Sequence, residues 1–444
     1  MSGVTCTTGH PGPSTLKPVS VIPVLWRCPS GRTRRRTIVL TQPSAVVVTA
    51  TLPAVRAHGE AITRRFYQRM FEAHPELLDL FNRGNQANGA QQAALAAAVV
   101  AYAEHLTGAS TVPWGPVLDR IAHKHASLGI TPAQYTIVGR HLLAAVGEVL
   151  GEAVTPPVAA AWDEVYWLLA CELVAREARL YAAAGLAEGE SVWRSWRVTE
   201  RRQETSEVVS FTLAPADGTP APTFVPGQYT SVAVDLDGGR GQQIRQYSLT
   251  GRPGAADWRI AVKRVRGVDG APDGLVSTFL HERVAVGDTL RLSPPFGEVS
   301  AVAGDGPLVL VSAGIGLTPA MAALEHLAVA APRRPVVLVH ADRAGATHAL
   351  RGDLPRLHAA LPNLHTRLWY EDPTDATPPV QTATVSGGLV DPELIPLSPD
   401  AHVHLCGPLP FMNAVRGGLL RRGVPVERIA YEVFGPGMLR GEPA

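Results

Sequence analysis

Cysteine is scarce and scattered in this chain. Its 444 residues contain only Cys6, Cys28, Cys171 and Cys406, and no Cys-x-x-Cys pair. That spacing argues against a thiolate-bound iron–sulfur cluster or zinc site. It argues equally against a disulfide framework, which fits a reducing cytoplasm. Charge of one sign is missing too: a net charge of +1 carries no overall pull toward nucleic acid. No uninterrupted apolar run approaches the roughly 20 residues that span a bilayer. Ala93–Ala103 reads instead as a buried helix. What the chain has in quantity is apolar side chain, 46% of it, over a length that accommodates about three domains.

Residues 1–43 differ from the rest. They hold Pro, Ser, Thr and Gly, and then the run Arg32-Thr-Arg-Arg-Arg36. A secretory signal places its charge before its apolar segment, whereas here Val19–Trp26 precedes the arginines. A twin-arginine signal in Arg34–Leu40 is disfavoured because the next apolar segment continues into a helical region. The stretch reads either as a disordered tail or as translation from an upstream start.

From 44 to 187 the pattern is helical, with apolar residues recurring at three and four between Pro and Gly punctuation. Four polar groups sit where apolar ones are expected. His125 falls on the inward stripe Leu118, Ile121, His125, Leu128. His123 lies about 140° from Leu118 around the helix and faces out. Tyr67 joins the stripe Ile62, Phe66, Met70. Gln91 shares a face with Leu95, Val99, Tyr102 and Leu106. Glu177 lies between Leu173 and Leu180, and a buried carboxylate needs a partner. Singly, each reads as a satisfied core polar group. Together they have a chemical logic: one inward His can ligate haem iron, a carboxylate on its far nitrogen strengthens it as a donor, and a Tyr and a Gln can hydrogen-bond a ligand on the opposite side.

The region 195–304 reads as strands, at Glu207–Leu213, Tyr229–Leu236, Gln243–Leu249, Trp258–Val265 and Thr289–Leu292. Turns such as Pro226-Gly227 and Asp237-Gly-Gly239 separate them, and a small antiparallel barrel is the expected architecture. Within it, Arg245-Gln-Tyr-Ser-Leu-Thr250 places a cation, a ring and a hydroxyl at i, i+2 and i+3. Strand alternation puts Arg245 and Tyr247 on one face and Ser248 on the other. A flavin dinucleotide needs that set: a cation for its pyrophosphate, a ring for its isoalloxazine and a short polar group near the reactive edge. Gly274-Leu-Val-Ser277 opens a short helix whose free N–H groups suit the pyrophosphate.

The region 305–444 begins with the strand Leu308–Ser312, the glycine turn Ala313-Gly-Ile-Gly-Leu-Thr-Pro319 and a helix over Ala320–Leu327. That is the start of a parallel nucleotide-binding fold, although the turn is not Gly-x-Gly-x-x-Gly. Pro335–His340 and His402–Pro408 supply further strands. Ligands bind beyond the carboxyl ends of such strands.

These segments resemble the flavohaemoglobins, a globin joined to a ferredoxin reductase-like module. The likeness is carried by Phe66-Tyr-Gln-Arg-Met-Phe71, Asn85-Gln-Ala-Asn-Gly89, Ile121-Ala-His-Lys-His125, Pro132-Ala-Gln-Tyr135 and Arg176-Glu-Ala178. It extends through Pro226-Gly-Gln-Tyr229, Arg245–Ser248, Gly-x-Gly-x-Thr-Pro, Cys406-Gly-Pro408 and Tyr431-Glu-Val-Phe-Gly-Pro436, covering about Ser44 to Gly437. The loop near Thr107–Pro113 looks slightly longer than the family's.

The resemblance implies an all-α globin, an antiparallel β-barrel for FAD and an α/β parallel sheet for NADH or NADPH. It makes His125 the proximal ligand of one haem b, with Tyr135 and Glu177 hydrogen-bonded around it and Tyr67, Gln91 and Leu95 on the distal side. Lys124 would meet a haem propionate, the flavin module or solvent. Tyr229, Arg245, Gln246, Tyr247, Ser248, Gly274 and Ser277 would hold one FAD. Gly314, Ile315, Gly316, Leu317, Thr318 and Pro319 would take the nicotinamide dinucleotide, with Cys406 and Gly407 near its ring. Glu432, Val433, Phe434, Gly435 and Pro436 would lie over the flavin; many relatives have Cys where Val433 stands.

The implied activity is nitric oxide dioxygenase: NAD(P)H reduces FAD, FAD reduces the iron one electron at a time, and O2 oxidises nitric oxide to nitrate. The expected setting is a cytoplasmic monomer acting on small molecules. Two other readings stay open at this point. One is a haem-based oxygen or redox sensor with a built-in reductase; the other is a flavin reductase serving a separate acceptor. Arg343, after a strand, is placed to meet a 2′-phosphate or simply solvent, so NADH and NADPH both remain candidates.

Overall fold

The computed structural model describes residues 40–80, 89–110, 113–236, 241–267, 272–374 and 377–435. Arg32–Arg36, Asn85–Asn88, Asp237–Gly239 and Pro436 lie outside the described residues. No described helix is long and apolar enough to cross a membrane.

Five long helices come first: α1 (Gln42–Ala73), α2 (Ala90–Leu106), α3 (Gly115–Leu128), α4 (Pro132–Leu150) and α5 (Pro156–Ala183). Proline stands in the first turn of α1, α3, α4 and α5, where its missing N–H costs nothing. α3 ends at Gly129 with φ of 75°, a left-handed cap that glycine adopts without strain. The expected stripes are buried: Ile62, Phe66, Tyr67 and Met70 on α1, and Leu118 on α3, join one core with Tyr102, Tyr135 and Leu173. Arg176 on α5 ties to Asp119 on α3 at 2.5 Å.

A six-stranded antiparallel sheet follows: β1 (Arg194–Gln203), β2 (Val208–Pro215), β3 (Tyr229–Asp235), β4 (Gln242–Ser248), β5 (Trp258–Lys263) and β6 (Thr289–Leu292). Its order is β4-β3-β6-β1-β2-β5, and a Leu249–Ile260 bridge joins the two ends. The sheet therefore closes into the expected barrel. β1 was not among the sequence-read strands. It is Arg-Ser-Trp-Arg-Val-Thr-Glu-Arg-Arg-Gln, and burial falls on Trp196 and Val198. Charge at most other positions hides the alternation. A nine-residue helix, α6 (Leu275–Arg283), packs on the barrel.

The second sheet is parallel and runs β10-β9-β8-β7-β11-β12. Its strands are β7 (Leu308–Ala313), β8 (Val336–Ala344), β9 (Leu364–Asp372), β10 (Thr384–Gly387), β11 (His402–Cys406) and β12 (Ile429–Glu432). Three helices connect them: α7 (Leu317–Ala330), α8 (Leu354–Ala360) and α9 (Leu409–Arg421). β7 is buried at every position, as a strand covered on both faces should be. α7 is longer than the sequence pattern indicates, starting at Leu317 directly after the glycine turn. β9 and β10 were not read from the sequence either.

Candidate functional site

The helical part presents two polar sets. In the first, His125 Nδ1 lies 2.9 Å from Glu177 Oε1 and 2.9 Å from Tyr135 Oη, and the Tyr135 hydroxyl donates to the same carboxylate oxygen at 2.5 Å. Glu177 is 2% exposed, so this carboxylate has exchanged water for two protein partners. Burial beside Glu177 pushes the Tyr135 phenol far up, keeping it a neutral donor. With the hydrogen of His125 on Nδ1, the tautomer that satisfies the carboxylate, the Nε2 lone pair is free. Nε2 makes no hydrogen bond among the described residues. This donor set fits a metal ligand with a carboxylate behind it.

The second set is Tyr67 on α1 and Gln91 on α2, whose side chains are hydrogen-bonded. Burial raises the Tyr67 phenol well above its ordinary pKa. Phe66 and Phe71 flank its ring at 4.7 and 5.7 Å between centroids. Leu95 packs against the same core. Lys124 is partly buried without an ion pair among the described residues, and burial lowers its pKa.

In the barrel, Tyr229 and Ser248 stand directly opposite on β3 and β4, next to Thr230 and Tyr247. Arg245 is half-buried, with one Nη1 bond to the Ile244 carbonyl at 2.6 Å. Gln246 Nε2 is turned toward Ser231 and toward Ser127 of α3. Ser277 accepts the Val265 N–H at 3.1 Å and donates to the Gly274 carbonyl at 3.1 Å, so its hydroxyl ties the start of its helix to the chain just after β5. Glu432, at the end of β12, takes a long 3.4 Å bond from Ser248, while its Oε2 has no partner among the described residues. Burial, then the nearby Glu298, pushes the Glu432 carboxyl up to about 8.

At the carboxyl ends of the parallel strands, Gly314–Gly316 presses against Cys406 and Gly407. A Cβ on Gly316 would lie 2.5 Å from the Cys406 carbonyl, so only glycine fits there. Thr318 bonds back to the Ile315 carbonyl at 3.0 Å, and buried Leu317 and Pro319 start α7. Burial and Glu432 hold the Cys406 thiol well above its ordinary pKa. Val433 packs into the neighbouring core, Phe434 is 47% exposed, and Gly435 has φ of 129°. The geometry is a glycine turn opening a 14-residue helix beside a second strand end, which suits an anionic dinucleotide.

Arg120, His123 and Ser127 were not singled out as functional. His123 does leave the helical core, as its position around α3 predicts, yet it meets the barrel rather than solvent: its Nδ1 accepts the Gly297 N–H at 2.9 Å. The signal available in the sequence was the polar spacing i, i+3, i+7 along α3.

The comparisons bear on these geometries together. A globin model matches residues 64–173, and an oxidoreductase NAD-binding domain model matches residues 310–417. A flavohemoprotein from Bordetella parapertussis is 46% identical over 398 residues, covering 88% of this chain and 97% of that protein. The chain belongs to the flavohemoprotein family. A flavohemoprotein from Rhizobium meliloti is 44% identical and covers 89% of this chain and 98% of its own length. The crystal structure of a flavohemoglobin from Malassezia yamatoensis, with bound FAD and heme, superposes with a TM-score of 0.78 at 34% identity, covering 89% of this chain and all of that one. The family's helical, barrel and parallel-sheet order is the one described above.

Proposed function

We propose that this protein is a nitric oxide dioxygenase that consumes NAD(P)H and O2 and converts nitric oxide to nitrate. Family membership makes it, at the coarser level, an NAD(P)H-dependent haem–flavin oxidoreductase. Haem iron, FAD and the nicotinamide dinucleotide, when bound, supply the hydride transfer, single-electron transfer and oxygen chemistry.

The observation that carries the reading is the His125–Tyr135–Glu177 set combined with the Tyr67–Gln91 pair. His125 offers Nε2 as the iron ligand. Glu177 and Tyr135 fix its ring orientation and tautomer, and the carboxylate raises its donor strength. Tyr67 stays protonated through burial and donates, with Gln91, to a ligand on the distal side. Arg245 would hold the flavin pyrophosphate and Tyr247 would pack on the isoalloxazine. Ser248 and Glu432, bonded to each other at 3.4 Å, would lie near its reactive edge, with Glu432 protonated near neutral pH. Gly314, Gly316 and the α7 N-terminus would receive the dinucleotide, with Cys406 and Gly407 near the nicotinamide. We read the three units as 44–187, 195–304 and 305–444. We place the protein in the cytoplasm as a monomer; the unpaired thiols of Cys171 and Cys406 fit a reducing compartment.

The relative that supports the finer activity is a nitric oxide dioxygenase from Vibrio cholerae. The structure of its FAD/NAD-binding domain covers 55% of this chain at 36% identity with a TM-score of 0.50. The test is nitric oxide consumption by purified protein carrying haem and flavin. Rapid, NAD(P)H-dependent and oxygen-dependent removal with nitrate as product is expected. A protein holding both cofactors that leaves nitric oxide untouched refutes the reading and favours a sensor.

A further inference from the structure

α3 turns His125 into the helical core and a different stripe toward the reductase half. Arg120, His123 and Ser127 follow one another at i, i+3 and i+7, so they share one face. Each reaches across. The Ser127 hydroxyl donates to the Lys124 carbonyl at 2.8 Å and accepts from Gln246 Nε2 of the barrel at 3.5 Å. His123 receives the Gly297 N–H. Arg120 Nε donates to Glu298 Oε1 at 2.9 Å. The Arg120 guanidinium also lies 5.2 Å from the Tyr431 ring centroid. Glu298 belongs to the segment after β6, and Tyr431 to β12 next to Glu432. Arg120 thus grips two separate pieces of the reductase half at once.

The chemistry suits that task. A guanidinium is always charged, and its planar fork can bond a carboxylate while its face or edge meets a ring. The side chains of Arg120 and Glu298 are 31% and 19% exposed, so water screens this pair less than an open surface pair. Arg120 precedes His125 by five residues, about 7.5 Å along the helix axis. A shift at Arg120 is therefore carried by a rigid rod to the imidazole. Arg120 lies outside the helical core formed by Leu118 and Ala122, so its loss should leave that core intact.

We infer that Arg120 is a positioning residue for electron transfer from flavin to haem, clamping the His125 helix against both the barrel and the last strand. The inference rests on the haem–flavin reading above. In the step concerned, reduced flavin gives up one electron and ferric iron becomes ferrous. One hydride from NAD(P)H covers two such transfers, and one net proton passes to water. Transfer between fixed carriers falls steeply with their separation, so a loosened clamp slows this step more than flavin reduction.

The test uses full-length protein loaded with haem and FAD, as wild type, Arg120→Met, Glu298→Gln and Arg120→Lys. Each is mixed rapidly with NADH under anaerobic conditions, and flavin bleaching and the haem Soret change are followed separately. Flavin reduction should keep the wild-type rate. Haem reduction should slow by about tenfold or more in Arg120→Met and Glu298→Gln, the order of loss that misplacing a reacting partner produces. Arg120→Lys should recover part of it.

Hydrogen-exchange mass spectrometry supplies a readout independent of turnover. The peptide containing Gly297, protected by His123, should exchange faster in Arg120→Met. Wild-type haem reduction in both clamp variants overturns the inference. So does slowed haem reduction with unchanged exchange at Gly297, since the helix would then still be docked. A wild-type protein whose flavin is reduced while its haem stays ferric overturns the haem–flavin reading itself, which is a distinguishable result.

Discussion

Two carboxylates in this molecule are withdrawn from water, and they are treated in opposite ways. Glu177 sits among helices with a phenol hydroxyl and an imidazole both on Oε1. Glu432 sits at the end of β12, beside the proposed flavin and dinucleotide sites, with one long serine bond and an Oε2 that has no partner among the described residues. A carboxylate that must hold an imidazole in place is given partners. A carboxylate left short of partners is held instead by its proton, and its pKa rises to about 8. The first arrangement fixes the proposed ligand; the second keeps a titratable group beside the proposed redox site.

The strongest way to break the comparison is to remove the ligand that Glu177 supports. His125→Ala should lose haem almost completely while keeping flavin, read as a vanished Soret band over intact flavin absorption. Retained haem refutes the ligand assignment. Next among the losses is Glu177→Ala, which strands the Tyr135 hydroxyl and the His125 Nδ1–H. Two buried donors left unmet should cost about 3 kcal/mol, measurable as a lowered urea midpoint. A loss under a few tenths would mean that water replaces the carboxylate freely.

Glu432 makes the opposite prediction. Its folded pKa of about 8 lies above its ordinary value of 4.5. Across that window the folded protein holds a proton that the unfolded chain has released, so this group's contribution to stability falls as pH rises and levels off above about 8. Glu432→Gln removes the term. In FAD-free protein the variant should gain about 5 kcal/mol on wild type at about pH 9 and about 1 kcal/mol or less at about pH 5. A gap that does not change with pH would contradict the buried, proton-holding carboxyl. The smallest effect belongs to Tyr135→Phe. It deletes one of the two donors to Glu177 and should cost about 1 kcal/mol while haem is kept. A loss as large as that of Glu177→Ala would make the phenol, rather than the carboxylate, the centre of the set.

Much of this was legible in the chain because it is periodic or local. Leu118, Ile121, His125 and Leu128 share a helical face whatever surrounds them, and so do the α1 residues around Tyr67. The glycine turn after β7 can be read because only glycine tolerates the approach of the Cys406 carbonyl. β1 was illegible for a local reason: its charged residues mask Trp196 and Val198, and it is a strand because β2 and β6 flank it on both sides. β9 likewise gains its identity from pairing with β8, and β10 from pairing with β9.

By itself, then, the sequence determined three successive units, their order and the inward direction of His125, Tyr67 and Glu177, because backbone periodicity dictates which side chains share a face. Tertiary structure decided which groups meet. His125 and Glu177 are 52 residues apart, Arg120 and Glu298 178 apart, and Ser248 and Glu432 184 apart. No local rule pairs residues over such separations. Packing of one unit against another does, and it also sets how much water each charged group keeps. That is why two glutamates with the same intrinsic chemistry end as a paired carboxylate in one place and a proton-holding acid in the other.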